Sequence, residues 1–225
     1  MKKRTAVIGA LVSLLPLGQP LVIGKGAVLT SAGLILAIPD QAQAETADFY
    51  YNRGIEKQDK GDYYGAISDY TKAIKINPRD AEAYHNRASA KESLNDYEGA
   101  LKDYEKAVHI DPSDLSYQGV GVTKNALGDH YGAISAYNKS IKINKRNADV
   151  YYNRANTKGR DLEDYYGAIS DYNKAIEIKP NYVFAYSNRG FAKKLIGDMK
   201  GACSDWRKAS SLGSQKSAKR VRNQC

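Results

Sequence analysis

The sequence has few of the residues that build metal centres or disulfide-rich folds. Its 225 residues include only two cysteines, three histidines and one tryptophan. These numbers are too small for a zinc cluster or for a small domain that depends on disulfides. Proline is also scarce, with six residues, whereas tyrosine is abundant, with 18. We therefore expect no metal-centred chemistry and no cofactor.

The basic character of the chain is confined to its two ends. The formal net charge is +9, but residues 45–206 carry equal numbers of acidic and basic side chains. Residues 207–225 hold six basic residues and no acidic residue. A protein that follows a phosphate backbone carries its charge along the binding face. The charge distribution therefore argues against a nucleic-acid partner.

The first 44 residues have the pattern of a targeting segment. A basic start at residues 2–4 precedes an apolar stretch over residues 6–38. Small residues at positions 42 and 44 then stand where a signal peptidase cleaves, with Glu45 next. Residues 1–44 are predicted to be a signal peptide, with a retained membrane anchor as the alternative. Prolines and glycines interrupt the apolar stretch, so it contains no uninterrupted span of about 20 apolar residues.

The remaining sequence repeats one pattern five times. An alanine recurs at spacings of 33 to 35 residues, and an aromatic residue follows it four positions later. The alanines are Ala66, Ala100, Ala133, Ala168 and Ala202, and the aromatic residues are Tyr70, Tyr104, Tyr137, Tyr172 and Trp206. This interval places each pair on one helical face, and Gly-Asp or Asn-Asp pairs mark a turn between two helices. Each unit is predicted to be a helical hairpin that must stack on its neighbours.

This pattern resembles the tetratricopeptide repeat (TPR) family, in its bacterial form. The shared features are the 34-residue period, a small residue at position 8, Ala at 20, an aromatic residue at 24 and Pro at 32. The resemblance implies an all-α fold, a right-handed α-solenoid of five helix-turn-helix repeats with a concave groove. The predicted repeats are 47–80, 81–113, 114–147, 148–182 and 183–216, followed by a capping helix over 217–225.

The function that the resemblance implies is a non-catalytic interaction scaffold. Its groove would bind a peptide or protein segment, and export would place it in the periplasm, a lumen or the extracellular space. The alternative is a membrane-anchored assembly or trafficking factor, and membrane contact is expected only in that case. The histidines have no neighbouring Cys, Asp or Glu pattern for nucleophilic or metal chemistry, so we expect no enzyme activity.

The groove candidates are the residues at positions 5 and 6, which face the concave side in the family. They are Tyr51, Asn52, His85, Asn86, Gln118, Tyr152, Asn153, Ser187 and Asn188. An asparagine both donates and accepts hydrogen bonds, so a row of them can hold an extended peptide backbone. The alternative is that these asparagines bind the backbone of the neighbouring repeat. His85 is expected to be polar lining rather than a ligand.

Arginine at position 7 and aspartate at position 23 are predicted to form a structural ion pair between the two helices of a repeat. The pairs are Arg53–Asp69, Arg87–Asp103, Arg154–Asp171 and Arg189–Asp205. The third repeat has Val120 and Ala136 at these positions, so it lacks both the arginine and the aspartate. The loss of both together is expected for an ion pair, because the loss of one alone would leave a partly buried charge without its partner. Lysine recurs at position 11, so the alternative is a basic stripe for an acidic ligand.

The C-terminus is predicted to form a polar-backed cap over the last repeat. Cys203 stands where the other repeats have Ile or Leu, so it should point toward the cap. With export predicted, we expect a Cys203–Cys225 disulfide, and two separate thiols are the alternative. The basic residues Lys216, Lys219, Arg220 and Arg222 are expected to face water, with contact to anionic lipid or nucleic acid as the alternative.

Overall fold

The computed structural model describes residues 22–23, 27–30, 33–35 and 46–225. The chain divides into two units, Met1–Glu45 and Thr46–Cys225. In the described part of the first unit, three short strands pair antiparallel in the order β1-β2-β3. The strands are β1 (Val22–Ile23), β2 (Ala27–Thr30) and β3 (Gly33–Ile35). Most of the predicted targeting segment, including its cleavage site, lies outside the described residues.

The second unit consists of eleven α-helices, which confirms the all-α solenoid for residues 46–225. Two helices form each repeat, and an eleventh follows the fifth repeat. They are α1 (Ala47–Asp59), α2 (Tyr63–Ile76), α3 (Ala81–Ser93), α4 (Tyr97–Ile110), α5 (Asp114–Ala126), α6 (His130–Ile143), α7 (Ala148–Asn156), α8 (Tyr165–Ile178), α9 (Val183–Leu195), α10 (Met199–Ser211) and α11 (Gln215–Gln224). None of the helices described has the length and apolar character needed to cross a membrane.

The second helix of every repeat begins in the same way. An aspartate caps its N-terminus and accepts a hydrogen bond of 2.8–3.0 Å from the backbone N–H of a glycine three residues later. At Gly65, for example, an added Cβ would lie only 2.1 Å from a carboxylate oxygen of Asp62. The caps are Asp62, Asp96, Asp129, Asp164 and Asp198. The recurrent Asp-x-x-Gly sequence is thus a helix start.

The extra residue of the fourth repeat is absorbed between its two helices. Helix α7 ends at Asn156 and continues as a π-helical turn, Thr157–Asp161. Glu163 then adopts a left-handed backbone with φ 56°. A π turn fits one more residue into the chain without displacing the next helix. The extra residue that gives the 35-residue spacing in the sequence is therefore accommodated by a wider helical turn at the end of the first helix.

The core lies between the paired helices and consists of small residues packed against aromatic rings. The alanine at position 20 is fully buried in every repeat, and the following aromatic residue is 0–3% exposed. In the first repeat a Cβ on Gly54 would lie 2.6 Å from the Tyr70 ring. Small residues at position 8 therefore let the two helices approach closely enough for the ring to fill the space between them.

Helix α11 covers the open end of the fifth repeat. Its Ser217 is fully buried and donates to Ser187 Oγ at 3.1 Å. A disulfide between Cys203 and Cys225 joins the end of the helix to α10, with a Cα–Cα distance of 5.7 Å. The helix begins at Gln215, two positions before the predicted cap. The cap thus has both a packed polar contact and a covalent link to the repeat beneath it.

We expect the disulfide to determine whether α11 stays seated. Cys203→Ser with Cys225→Ser opens a cross-link that spans 22 residues, which should cost about 3 kcal/mol of local stability. Hydrogen exchange of the α11 amides should accelerate accordingly. Amides of α3 provide the internal control and should be unchanged. Unchanged exchange in α11 would show that packing alone holds the cap.

Candidate functional site

A buried cluster of one aspartate, one arginine and one lysine occurs in four of the five repeats. Arginine Nε and Nη2 donate to the two carboxylate oxygens at 2.5–2.9 Å. The lysine Nζ lies 2.7–3.0 Å from the same carboxylate. The clusters are Arg53, Lys57 and Asp69; Arg87, Lys91 and Asp103; Arg154, Lys158 and Asp171; and Arg189, Lys193 and Asp205. In these four repeats, the cations that could have formed a basic stripe therefore bind the buried aspartates.

The aspartates of these clusters are among the most buried polar groups in the described chain, at 0–5% exposed. Burial by itself would raise the pKa of the Asp69 carboxyl, but the hydrogen bonds from Arg53 and Lys57 outweigh burial and hold the pKa below its ordinary value. A carboxylate so enclosed needs both cations, because a single unpaired charge in this position is strongly destabilising.

The arginine of a cluster also reaches back to the preceding repeat. Arg87 Nη1 donates to Thr71 Oγ1 at 3.0 Å, and Arg189 Nη1 donates to Asn173 Oδ1 at 2.6 Å. Arg154 makes the same contact with Asn138. Each of these three guanidinium groups therefore connects three helices, two in its own repeat and one in the repeat before.

The third repeat replaces this cluster with a hollow of about 220 Å³. Val120 and Ala136 form part of its lining, and Lys139, Lys124 and Glu105 are also at its border. Lys124 has no buried aspartate to bind, and its Nζ lies 3.5 Å from the capping Asp129. The joint between the second and third repeats thus lacks the guanidinium contact found at the next two joints.

The inner face, which we define as the surface formed by α1, α3, α5, α7 and α9, contains three hollows in a row. The N-terminal hollow is about 370 Å³ and includes Tyr51, His85 and Asn86. The middle hollow is about 200 Å³ and includes Asn153 and Asn156. The C-terminal hollow is about 240 Å³ and includes Asn188. Five of the nine groove candidates line these hollows: Tyr51, His85, Asn86, Asn153 and Asn188.

Two of the groove asparagines bind the preceding repeat, through side chains rather than backbone. Asn86 Nδ2 donates to Tyr51 Oη at 2.9 Å, and Asn188 Nδ2 donates to Tyr152 Oη at 3.1 Å. Asn188 also donates to Asn156 Oδ1 at 3.0 Å. These residues therefore set the spacing of adjacent first helices while remaining at the border of the groove.

Of the other groove candidates, some side chains form hydrogen bonds within the described part of the chain and others do not. Asn52 is exposed and Asn153 partly exposed, and neither side chain has a hydrogen-bond partner in the described part of the chain. Gln118 Oε1 accepts from Asn147 at 3.2 Å, and His85 Nδ1 lies 3.2 Å from Ser116 Oγ. Asn52 and Asn153 are therefore the asparagines available to a ligand.

Ser187 is placed differently from the sequence prediction. Its side chain is 8% exposed and accepts hydrogen bonds from Ser217 and Arg220 of the cap. Position 5 faces the groove in the other repeats, but in the fifth repeat α11 covers it. Ser187 therefore belongs to the cap interface and is not available to a ligand in the groove.

Burial changes two titrations in the N-terminal hollow. Burial and the charge of Glu82 raise the pKa of Tyr51 to about 12, and Tyr51 Oη donates to Glu82 Oε2 at 3.2 Å. Burial also lowers the pKa of the His85 imidazole below its ordinary value. Both side chains are therefore uncharged near neutral pH, so the charge of the hollow comes from Glu82 and Asp111.

Arg220 differs from its expected position in water. Its guanidinium lies 5.5 Å from the Trp206 ring and 5.6 Å from the Phe191 ring, and Nη1 donates to Ser187 Oγ at 3.2 Å. It enters the C-terminal hollow together with Lys216 and Arg160. The sequence reveals that the tail is basic, but which tail residue turns inward depends on how α11 docks.

The described residues contain no group of three or more His, Cys, Asp or Glu side chains that could hold a metal ion. Both cysteines form the disulfide, so neither is present as a thiolate nucleophile. The hollows on the inner face instead offer amide, hydroxyl and charged groups next to apolar surface. Such a lining is suited to binding.

Comparison with known proteins identifies the family. Models described as tetratricopeptide repeat match residues 47–80, 81–114 and 116–147, and a model described as TPR repeat matches residues 160–197. These segments together cover more than half of the chain. The chain belongs to the tetratricopeptide repeat family. No curated protein sequence matches it.

Several solved TPR structures share the fold. A crystal structure of MamA is 29% identical with a TM-score of 0.67, and the match covers 74% of this chain and 96% of that chain. MamA from Desulfovibrio magneticus RS-1 is 19% identical with a TM-score of 0.68, covering 78% and 97%. YrrB, described as a TPR protein with an unusual peptide-binding site, is 17% identical with a TM-score of 0.65, covering 81% and 94%. The TPR repeats and these neighbours support a protein-interaction scaffold, and proteins of this fold are typically non-catalytic.

The ion pair between Arg87 and Asp103 should behave as a coupled unit. Each single substitution, Arg87→Ala or Asp103→Ala, should lower the free energy of unfolding by about 3 kcal/mol, because it leaves the other charge buried. The double variant should lose less than the sum of the two. Urea denaturation of all four proteins measures the coupling.

The exposed pair Lys174–Glu177 is the matched control for this cycle. It has a similar Nζ–Oε2 distance of 2.7 Å, but its side chains are 56% and 67% exposed. The same cycle there should show no measurable coupling, because water and salt screen an exposed pair. Additive effects at Arg87 and Asp103 would contradict the pairing.

Proposed function

We propose that the inner face binds an extended peptide segment of a protein partner, and that the protein acts as an interaction scaffold outside the cytoplasm. The observation that carries the proposal is the row of three hollows on the inner face. Each hollow has a volume of about 200–370 Å³, which suits one or two side chains. A row of such hollows fits a linear segment better than one compact ligand.

The chemistry of the inner face supports recognition of peptide backbone. Asn52 and Asn153 carry side-chain amides that no described residue occupies. An amide side chain can donate to a peptide carbonyl and accept from a peptide N–H at the same time. Neighbouring Leu115 is 57% exposed at the border of the N-terminal hollow, where it offers apolar contact. Backbone bonds would then give affinity, and the hollows would select side chains.

Selection of binders from a random peptide library displayed on phage tests this function, with the full chain as bait. Asn153→Ala should weaken a selected peptide roughly three- to tenfold, as expected for one lost hydrogen bond. Asn181→Ala is the matched control, because Asn181 is exposed in a turn between α8 and α9. Failure to select any peptide, or equal loss in both variants, would contradict groove binding.

Export is proposed on two grounds. The first is the basic, apolar and small-residue pattern of residues 1–44. The second is the disulfide between Cys203 and Cys225, since such bonds persist mainly in oxidising compartments. The alternative, a membrane-anchored assembly factor, differs in whether residues 1–44 are retained.

The N-terminal residue of the native protein distinguishes the two. Mass spectrometry of the protein isolated from its own cells should find a chain that begins at Glu45, in an extracytoplasmic fraction. A chain that begins at Met1 in the membrane fraction would contradict cleavage and favour the anchored alternative. An uncleaved chain in the cytoplasm would contradict export altogether.

A further inference from the structure

The C-terminal hollow is the part of the inner face where cations gather. Arg160, from the π-helical turn of the fourth repeat, lies on one side. Lys216 and Arg220 come from the cap helix α11 and are four residues apart, so they share one face of that helix. None of the residues that line the hollow is acidic. Three cations from two separate elements therefore converge on one concave site.

These cations have no carboxylate partner within residues 46–225, the part of the unit that the structure describes. The acidic neighbour of Arg160, Asp161, instead lies 3.9 Å from His130 Nδ1. Arg220 donates only to the neutral hydroxyl of Ser187. The arginines at position 7 of four repeats, by contrast, each bind an aspartate through two hydrogen bonds. Arg160 and Arg220 thus bring to the C-terminal hollow two guanidinium groups that no described carboxylate binds.

Arg220 is also held in position and partly removed from water. Its guanidinium packs near the Trp206 and Phe191 rings, and burial lowers its pKa below the ordinary value for arginine. A guanidinium remains charged under all ordinary conditions. Because it is fixed by its surroundings, little side-chain freedom would be lost when an anion binds.

Apolar surface lies directly beside the cations. Phe191 is 44% exposed and Leu195 is 45% exposed, and both line the same hollow with Tyr165. A carboxylate that binds the cations would therefore bring its flanking residues onto aromatic and aliphatic side chains. Inorganic phosphate would use the cations but not this surface.

The opposite end of the inner face carries the opposite charge. The N-terminal hollow includes Glu82 and Asp111, and no lysine or arginine lines it. The middle hollow contains one acidic and one basic residue, Asp161 and Arg160. The inner face therefore changes from acidic to basic along its length. A basic ligand residue would favour the N-terminal hollow, and an acidic one would favour the C-terminal hollow.

We propose that the C-terminal hollow binds an acidic residue of the partner peptide, next to an aromatic or aliphatic residue. Arg220 and Lys216 of the cap helix contact the carboxylate from one side and Arg160 contacts it from the other. This proposal rests on the peptide-binding function proposed above and specifies its selectivity. Because two of the three cations belong to α11, the site exists only while the cap is seated on the fifth repeat.

Three labelled peptides test the proposal against the full chain. They share an uncharged Ala-Ser framework and differ in the centre: Glu-Phe-Glu, Gln-Phe-Gln or Lys-Phe-Lys. Fluorescence anisotropy in about 150 mM salt measures their affinities, since exposed charges at longer range are largely screened there. The Glu peptide should bind about tenfold tighter than the Gln peptide, as expected for a charge-assisted contact, and the Lys peptide should bind weakest.

Variants of the chain locate the effect. Lys216→Gln and Arg160→Gln should each reduce the preference for Glu over Gln about threefold or more, because both side chains are exposed and can be replaced without opening the core. Arg220→Gln should reduce it further, and circular dichroism checks that the cap remains folded. Arg222→Gln is the matched control: it removes an exposed charge from the same helix, outside the hollow.

Equal binding of the Glu and Gln peptides would overturn the acidic-residue proposal while leaving groove binding intact. An equal effect of Arg222→Gln and Lys216→Gln would overturn it too, because the tail would then act as a diffuse charge. A Glu preference that persists in all three hollow variants would have the same consequence. Absence of binding by all three peptides would also overturn it, whereas the phage selection decides separately whether the groove binds peptides.

Discussion

A carboxylate enclosed between two helices is the contact on which the array depends. An isolated ionised aspartate at 0–5% exposure would lose several kcal/mol of hydration free energy. An arginine and a lysine from the facing helix compensate that loss, and the arginine does so with two parallel hydrogen bonds. Such geometry leaves little freedom in the position of one helix against the other. Alanines and tyrosines then fill the space that the ion pair has fixed.

The same contact shapes the inner face. Because arginine and lysine at positions 7 and 11 turn toward the aspartate, the groove keeps mainly neutral side chains in the middle of the array. Its charges come from other sources: Glu82 and Asp111 at one end, and the cap helix with Arg160 at the other. The charges that join the helices and the charges that line the hollows are therefore carried by different residues. Substitutions in the hollows therefore need not disturb the ion pairs.

The parts of the fold that could be predicted from sequence are those encoded within one repeat. The sequence indicated the contact between Arg87 and Asp103 because the same pair recurs at the same spacing in four repeats. The third repeat, with Val120 and Ala136, lacks both members, which supports the pairing. The extra residue of the fourth repeat was evident, but its form as a π turn was not, because several backbone solutions accommodate one residue. The short strands within residues 22–35 had no counterpart in the repeat pattern.

The groove was harder to predict because its contacts cross between elements. The sequence places Asn86 and Asn153 at the same repeat position, yet Asn86 binds the tyrosine of the preceding repeat and Asn153 does not. The difference depends on residue 118, which is glutamine where the first repeat has Tyr51. Arg220 illustrates the same limit: its helix is amphipathic, but its contacts with Trp206 and Ser187 follow from docking.

Because the arginines donate hydrogen bonds to the preceding repeat, their repeats require a particular type of side chain in the repeat before them. A repeat with Arg at position 7 needs an acceptor at position 25 of the repeat before it, as Thr71, Asn138 and Asn173 provide. The second repeat has Glu105 there, although its present neighbour has Val120. If an in-frame deletion removed the third unit from the gene, Arg154 would meet Glu105, a carboxylate in place of an amide.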